Sequence, residues 1–470
     1  RKKYNMKKKI NLYYLTIWLL TILITIIWTY ENPEKIKKLK DLLKYDFSVG
    51  KIFSNIKSKV VQKNYKLLNK NTTTEIDSAY NLLSLDHYTI PVYSSYGGIE
   101  NMGNDILYLS GDSDLFLLKE NDDDLIKYEF IKIPIDKIKN NKKSFVEDNE
   151  SKVGKNAEKY FGIKDILVEK FEGFENKLLL VSTLNYRNKE NCYVVSVFYA
   201  EILNEKLFKL SNWKDLFSTS KCLSIDLTTN PRFAAASAGG RLIKLDKNSI
   251  LFSIGDFYAD GVNGPMLSQD LSNLYGKIIK INMSNFKSKI FSSGHRNPQG
   301  LHIDKDNNIF ATEHGPTGGD EINAIYENNN YGWPYATYGT NYKSSDAYKK
   351  IANDNNKKWP IDQSKNKHNN YTKPIFSWGN QVGISNLVSY ENNYFDKWNK
   401  NLIISALASK QLIRVIYNYE TESFIYKENI IIGKRIRDIV LMDNGKIALL
   451  TDRGKELSDY PEIIIMNKKN

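Results

Sequence analysis

Residues 246–256 read "DKNSILFSIGD", residues 304–315 "DKDNNIFATEHG" and residues 442–454 "MDNGKIALLTDRG". Each opens on a turn of Asp, Asn or Gly, passes through an Ile-led strand and closes on a polar residue or Gly. Three looser copies, "GNDILYLSGD" (103–112), "ENKLLLVSTLN" (175–185) and "NKNLIISALAS" (399–409), bring the number to six. Their spacing is uneven, roughly 70 residues on average, where a blade of four strands needs about 40–50 and insertions lengthen it. A strand recurring in this way, each time followed by polar residues, predicts an all-β fold, a six-bladed β-propeller. A sandwich or two β domains is the alternative that spacing alone leaves open. No strong run of amphipathic helices follows residue 90, which sets aside α/β folds.

The rest of the composition agrees. The 470 residues suit one large β domain or two to three smaller ones, and 31 Tyr and 20 Phe favour strands. The net charge of +13 invites a nucleic-acid partner, but its distribution argues against one. Residues 1–70 hold 17 Lys/Arg and 4 Asp/Glu, which leaves the remaining 400 residues neutral overall.

The basic N-terminus has its own reading. "RKKYNMKKK" (1–9) precedes "INLYYLTIWLLTILITIIW" (10–28), which carries no charge. Nineteen helical residues span about 28 Å, enough for a bilayer core. Trp28 and Tyr30 suit the far interface, and the Lys cluster the cytoplasmic side. No small-residue cleavage site follows in "WTYENPEK", so an uncleaved transmembrane anchor is expected rather than a signal peptide. Residues 1–30 are thus read as basic segment and anchor, 31–89 as a helical stalk or linker, and 90–470 as the propeller, extracytoplasmic (periplasmic) in location. The Asn/Lys-rich insertion at 341–373 is expected to be a surface loop between the fourth and fifth blades. Cys192 and Cys222 are the only cysteines; a disulfide and two buried thiols both fit.

Polar residues that close the six runs are expected to converge at the axial channel, with each run taken as an innermost strand. They include Asp256, Arg296 with Asn297 and Gln299, Glu313 and His314, and Arg435 with Arg437. Arg435 and Arg437 alternate along a strand and share a face. Paired Arg beside Asp and His suits an anionic small ligand. The plainer reading makes "HRNPQG" a structural blade corner and Asp320 and Glu321 turn caps.

Together, "SGHRNPQGL", "EHGPTGGDEIN", "NYGWP", "FSIGD" and "GKRIRDIVLMDNGKIALLTD" resemble the soluble quinoprotein glucose dehydrogenase and aldose sugar dehydrogenase family over residues 90–465. The resemblance implies a six-bladed propeller that binds pyrroloquinoline quinone (PQQ) and calcium and oxidises aldoses. It implies that Arg296, Asn297 and Gln299 line the quinone site, that Arg435 and Arg437 bind its carboxylates, and that Trp378 flanks its plane. It implies calcium on the carbonyls of Gly315 and Pro316, hard oxygen ligands on a loop whose glycines allow close approach.

The resemblance also exposes a departure. The family's His base lies in an H-x-G-G-R motif; here the segment is "SAGGR" (237–241), and Ser237 stands in its place. A neutral Ser is a poor base. Asp256, which would orient that His, is kept. The family's cofactor-binding Lys falls on Ala408, with Lys410 two residues on. Of five His, His87 and His302 read as structural, His368 as solvent-exposed in the insertion and His295 as a motif residue. His314 is the one substitute that could face the channel. The expectation is a membrane-anchored, PQQ-dependent sugar dehydrogenase passing electrons to a membrane or soluble acceptor. The alternative is an impaired propeller that binds a glycan or protein.

Overall fold

The computed structural model describes residues 67–90, 92, 96–120, 125–131, 142–153, 160–205, 208–228, 235–261, 263–340, 368–452 and 460–469. Their strands form six antiparallel sheets. The first runs Gly97–Met102, Asp105–Ser110, Leu115–Glu120, Leu125–Ile131, with Leu67–Asn69 on its outer edge. The second runs Gly162–Glu169, Leu178–Arg187, Cys192–Asn204, with three short strands on its rim. The third is Gly239–Asp246, Ser249–Ile254, Lys277–Asn282 and Ser288–Ser293. The fourth is Pro298–Ile303, Ile309–Glu313, Asp320–Ala324 and Phe376–Trp378. The fifth is Ile384–Tyr390, Asn401–Ala406, Gln411–Asn418 and Ser423–Ile431. In the sixth, Ile436–Leu441, Ile447–Thr451 and Glu462–Lys468 are followed outward by Asn81–Thr89 and Thr72–Ser78. The six first strands touch one another in a closed ring. This is a six-bladed propeller.

All six sequence repeats fall on the same element, the second strand of each blade rather than the innermost one. The reason is burial. Side chains alternate between the two faces of a strand, and a second strand is covered on both. In the third blade Ile250 and Phe252 pack toward the second blade, while Leu251 packs toward the fourth. In the fifth, Leu402 and Ile404 face the fourth blade and Ile403 faces the sixth. Each strand therefore reads as a continuous apolar run. Each fully buried side chain of this kind stabilises the fold by about 1.5–3 kcal/mol.

Residues 67–89, read as part of the stalk, are strands. Asn81–Thr89 pairs with the C-terminal Glu462–Lys468, setting Thr89 opposite Glu462 and Leu83 opposite Lys468. The two ends of the domain thus close the ring through one sheet, and the boundary belongs near residue 67. The segments expected to form an anchor, 10–28, and a stalk, up to residue 66, lie outside the described residues. Among the described residues no helix is long and apolar enough to cross a membrane.

The insertion at 341–373 sits inside the fourth blade, between its third and fourth strands; most of it lies outside the described residues. A helix not foreseen from the sequence, Lys142–Val153, packs Phe145 against Phe161 and Tyr186 of the second blade. Cys192 and Cys222 form a disulfide, with Cα atoms 5.6 Å apart and a sequence separation of 30. Closing a loop of that length contributes roughly 3–4 kcal/mol on a chain-entropy account.

Candidate functional site at the mouth of the channel

A second strand runs antiparallel to the first, so its end lies beside the first strand's start. One mouth of the channel therefore collects the residues after the six second strands and those before the six first strands. Asp256, Glu313, His314, Ala408 and Asp452 come from the former set, and Tyr96, Ser237, Arg296 and Arg435 from the latter. The convergence expected from the sequence holds, by a different strand.

Asp256 anchors one side. Its carboxylate accepts from the Trp333 indole N–H at 2.7 Å and the Tyr258 backbone N–H at 2.9 Å, and it is 1 % exposed. Burial pushes its pKa up to about 7, against the pull of the Arg296 guanidinium. Arg296 donates to the His314 carbonyl at 3.0 Å and lies over the rings of Tyr258 and Trp333. Ser237 is half-buried at φ 54°, and its carbonyl accepts from Phe257 N–H at 3.3 Å. That carbonyl stands 1.8 Å from where a Cβ on Gly255 would be, so the "IGD" glycine is what lets the Ser237 loop press against Asp256.

Arg437 anchors the other side. It donates to Asp452 at 2.7 Å, and Arg435 reaches the same carboxylate at 3.5 Å. Arg437 also meets the Gln299 side-chain oxygen at 3.4 Å; the Gln299 amide donates to Asn297 at 2.9 Å, and Asn297 accepts from Gly239 N–H at 3.2 Å. Arg435, Arg437, Gln299 and Asn297 are thus one chain of contacts. Tyr96, which opens the first blade, lies between Arg437 at 4.6 Å and Lys164 Nζ at 3.9 Å from its ring centre. Deeper in the channel Arg241 joins Asp165 at 2.7 Å and Asp438 at 2.9 Å, and Asn386 donates to Asp438 at 2.7 Å. These residues tie the second, third, fifth and sixth blades together beneath the mouth.

The glycine-rich loop lines the fourth-blade side of the mouth. Asp320 accepts from Gly315 N–H at 3.0 Å and from the Val382 and Gly383 N–H groups at 2.8 and 2.5 Å. It is therefore a loop clasp, as the plainer reading had it. A Cβ on Gly318 would lie 2.2 Å from the Gly379 carbonyl. Among the described residues no hydrogen bond ends on the Gly315 or Pro316 carbonyl oxygen, and no cluster of His, Cys, Asp or Glu is arranged to hold a metal. A cation here would rest on carbonyls. On the opposite wall, Arg437 Nε is a buried donor with no hydrogen-bond partner. Buried polar atoms of this kind cost free energy until a ligand or water meets them. The donor set therefore fits a small polycarboxylate.

Other expected site residues fall elsewhere. Trp378 lies on the outermost strand of the fourth blade and packs against Phe376 and Phe424, in the interior shared with the fifth blade. Its carbonyl accepts from Gly319 N–H at 2.7 Å, so its backbone borders the glycine-rich loop while its ring packs among apolar neighbours. His314 is tied to the Ile384 carbonyl, and burial lowers its pKa, which leaves it poorly placed as a substitute base. His368 is buried, not exposed; it stacks on Tyr338 at 4.9 Å, and burial lowers its pKa to about 4. His87 bonds Glu462 and Thr74, His302 accepts from Ser389 N–H, and His295 bridges Ser292 and Glu313. All three are structural. Ala408 packs its Cβ toward Gly383. The sequence reading passed over Asp452, Tyr96 and Trp333. Asp452 was findable, because it follows "ALLT" as Asp256 follows "FSIG".

The family model for glucose/sorbosone dehydrogenases matches residues 139–458. The chain belongs to that family. It is 30% identical over 270 residues to the aldose sugar dehydrogenase YliI of Escherichia coli K12, an alignment covering 54% of this chain and 64% of that protein. The chain thus spans a little under two thirds of that relative. Its fold is similar to the crystal structure of the soluble E. coli aldose sugar dehydrogenase in the apo form, with a TM-score of 0.60 at 20% identity, covering 82% of this chain and all of the other. The PQQ-bound aldose sugar dehydrogenase of Streptomyces coelicolor aligns with a TM-score of 0.55 at 17% identity over 85% of this chain and 98% of its own.

Proposed function

We propose that this chain is a PQQ-dependent sugar dehydrogenase, oxidising a CH–OH group of an aldose or related alcohol. The observation that carries the reading is the convergence at one mouth of Arg435, Arg437, Gln299, Asn297, Arg296 and the carbonyl-bearing Gly315–Pro316 loop. When bound, PQQ supplies the two-electron acceptor for the substrate's hydride. Arg435 and Arg437 would hold its carboxylates by charge-assisted bonds. The Gly315 and Pro316 carbonyls would hold the calcium.

The chain's own task is the proton. As the substrate carbon gives up hydride, its hydroxyl must lose H⁺. Ser237 cannot accept it at neutral pH. Asp256 lies directly behind the Ser237 loop, and a pKa of about 7 suits a proton acceptor near neutrality. In this reading Asp256 takes over the base role that the resemblance assigns to a histidine at position 237.

An anchor at 10–28 would hold the propeller on the extracytoplasmic side. The Cys192–Cys222 disulfide supports an oxidising compartment. The test is titration of the protein with PQQ and calcium, followed by dye reduction across a panel of aldoses. Tight binding with turnover is expected. Binding without turnover would leave a cofactor-loaded but impaired propeller, and no binding would overturn the reading.

A further inference from the structure

A second pocket opens on the face opposite the mouth. It lies where the fourth blade's second strand begins, at Asn307–Ile309, and where the third strands of the fourth and fifth blades end. Ile309 to Glu313 places it about 15 Å from His314 at the rise of an extended strand. Including its open side it encloses about 640 Å³.

Its walls are aromatic. Phe310, Tyr417 and Tyr419 form an edge-to-face trio, with centroids 5.4 Å (Phe310–Tyr417) and 4.8 Å (Tyr417–Tyr419) apart. Tyr419 is 36 % exposed and Tyr326, across the pocket, 42 %. Its charged groups are carboxylates, and of the two amides in the lining, Asn307 and Asn308, the latter is spent on Asp304. The Tyr326 hydroxyl donates to Glu422, and the Tyr419 hydroxyl is bonded to Asp304. Glu327 is paired with Lys289 at 2.5 Å, whereas no Lys or Arg among the described residues pairs with Glu422. No Lys or Arg lines the pocket.

Partly exposed tyrosine rings beside a carboxylate with no Lys or Arg partner attract a cation, through the ring quadrupole and through charge. A neutral ligand would gain nothing from that charge. From these observations we infer that the pocket between the fourth and fifth blades binds a small organic cation bearing an alkylammonium head. The inference is independent of the dehydrogenase reading, since the pocket shares no residue with the mouth.

The test compares choline with its uncharged isostere 3,3-dimethylbutan-1-ol on the full-length protein, by calorimetry and saturation-transfer NMR. Choline should bind at least about tenfold more tightly than the isostere. Glu422→Gln should weaken choline severalfold, and Tyr419→Leu more, whereas Tyr326→Phe, which keeps the ring, should retain most of the binding. Equal binding of the two probes, no binding of choline, or insensitivity to both Glu422→Gln and Tyr419→Leu would overturn the inference. So would a preference for glucose over choline at this pocket.

Discussion

Asp256 and Asp452 occupy matching places, just past the second strands of the third and sixth blades, and both face the same mouth. Their protons behave in opposite ways. Burial pushes both upward. For Asp452 the Arg437 guanidinium, in contact at 2.7 Å, and Arg435 outweigh burial and hold the pKa below the ordinary carboxylate value. For Asp256 the contacts are neutral donors, Trp333 and Tyr258, and Arg296 pulls only from nearby, so burial prevails. One wall of the mouth is thus a fixed charge pair suited to anchoring an anion. The other holds a carboxylate able to exchange a proton near neutrality. The fold supplies the two positions, and whether an arginine touches the carboxylate or stands beside it sets the role.

The contrast breaks most severely on the anchoring wall. Replacing both Arg435 and Arg437 with Ala should weaken PQQ binding by at least about 10³-fold, since two charge-assisted contacts are lost. Affinity unchanged by the pair would remove them from the site. On the proton wall, Asp256→Asn should lower turnover by about 10²–10³-fold while leaving PQQ affinity near that of the wild type. A parallel fall in affinity would instead make Asp256 part of the cradle. Ser237→His introduces the residue that the resemblance implies, at a left-handed position that His tolerates better than most side chains. It should raise sugar oxidation by up to about 10²-fold, with turnover shifting from dependence on Asp256 to dependence on the new imidazole. No gain would mean that the site has diverged beyond the base.

The sequence made the propeller legible because second strands are covered on both faces and so read as apolar runs six times over. It misjudged their place, since nothing in "SILFSI" distinguishes a first strand from a second. It also missed the ring closure. Asn81–Thr89 finds its partner, Glu462–Lys468, more than 370 residues away, and no local pattern encodes such a pairing. At the site, the arginines and the Gly315 loop were visible as motifs. Trp378 was visible as an aromatic beside a glycine-rich loop, but its packing on Phe376 and Phe424 was not, because those contacts cross between strands and blades. His368 misled because its polar surroundings in sequence say nothing of Tyr338, against which it stacks.

The smallest effect separates the two aspartates by stability alone. Asp256 rises from 3.8 to about 7 on folding, so between those values the native state keeps a proton that the unfolded chain has released. Its contribution is full below about pH 4 and is lost as pH rises through 7. Asp452 is depressed, so its contribution is present above pH 4 and is lost on acidification. His302 and His368, both lowered to about 4, add stability as pH rises to 6.5 and would mask Asp256 in a single melting curve. The difference between wild type and Asp256→Asn cancels them. Across pH 4.5 to 8 the variant's Tm should climb relative to wild type by a few degrees, because Asn carries no charge to bury. A flat difference would mean that the Asp256 carboxyl is ionised at low pH like any exposed aspartate, and the proton acceptor would have to be sought elsewhere at the mouth.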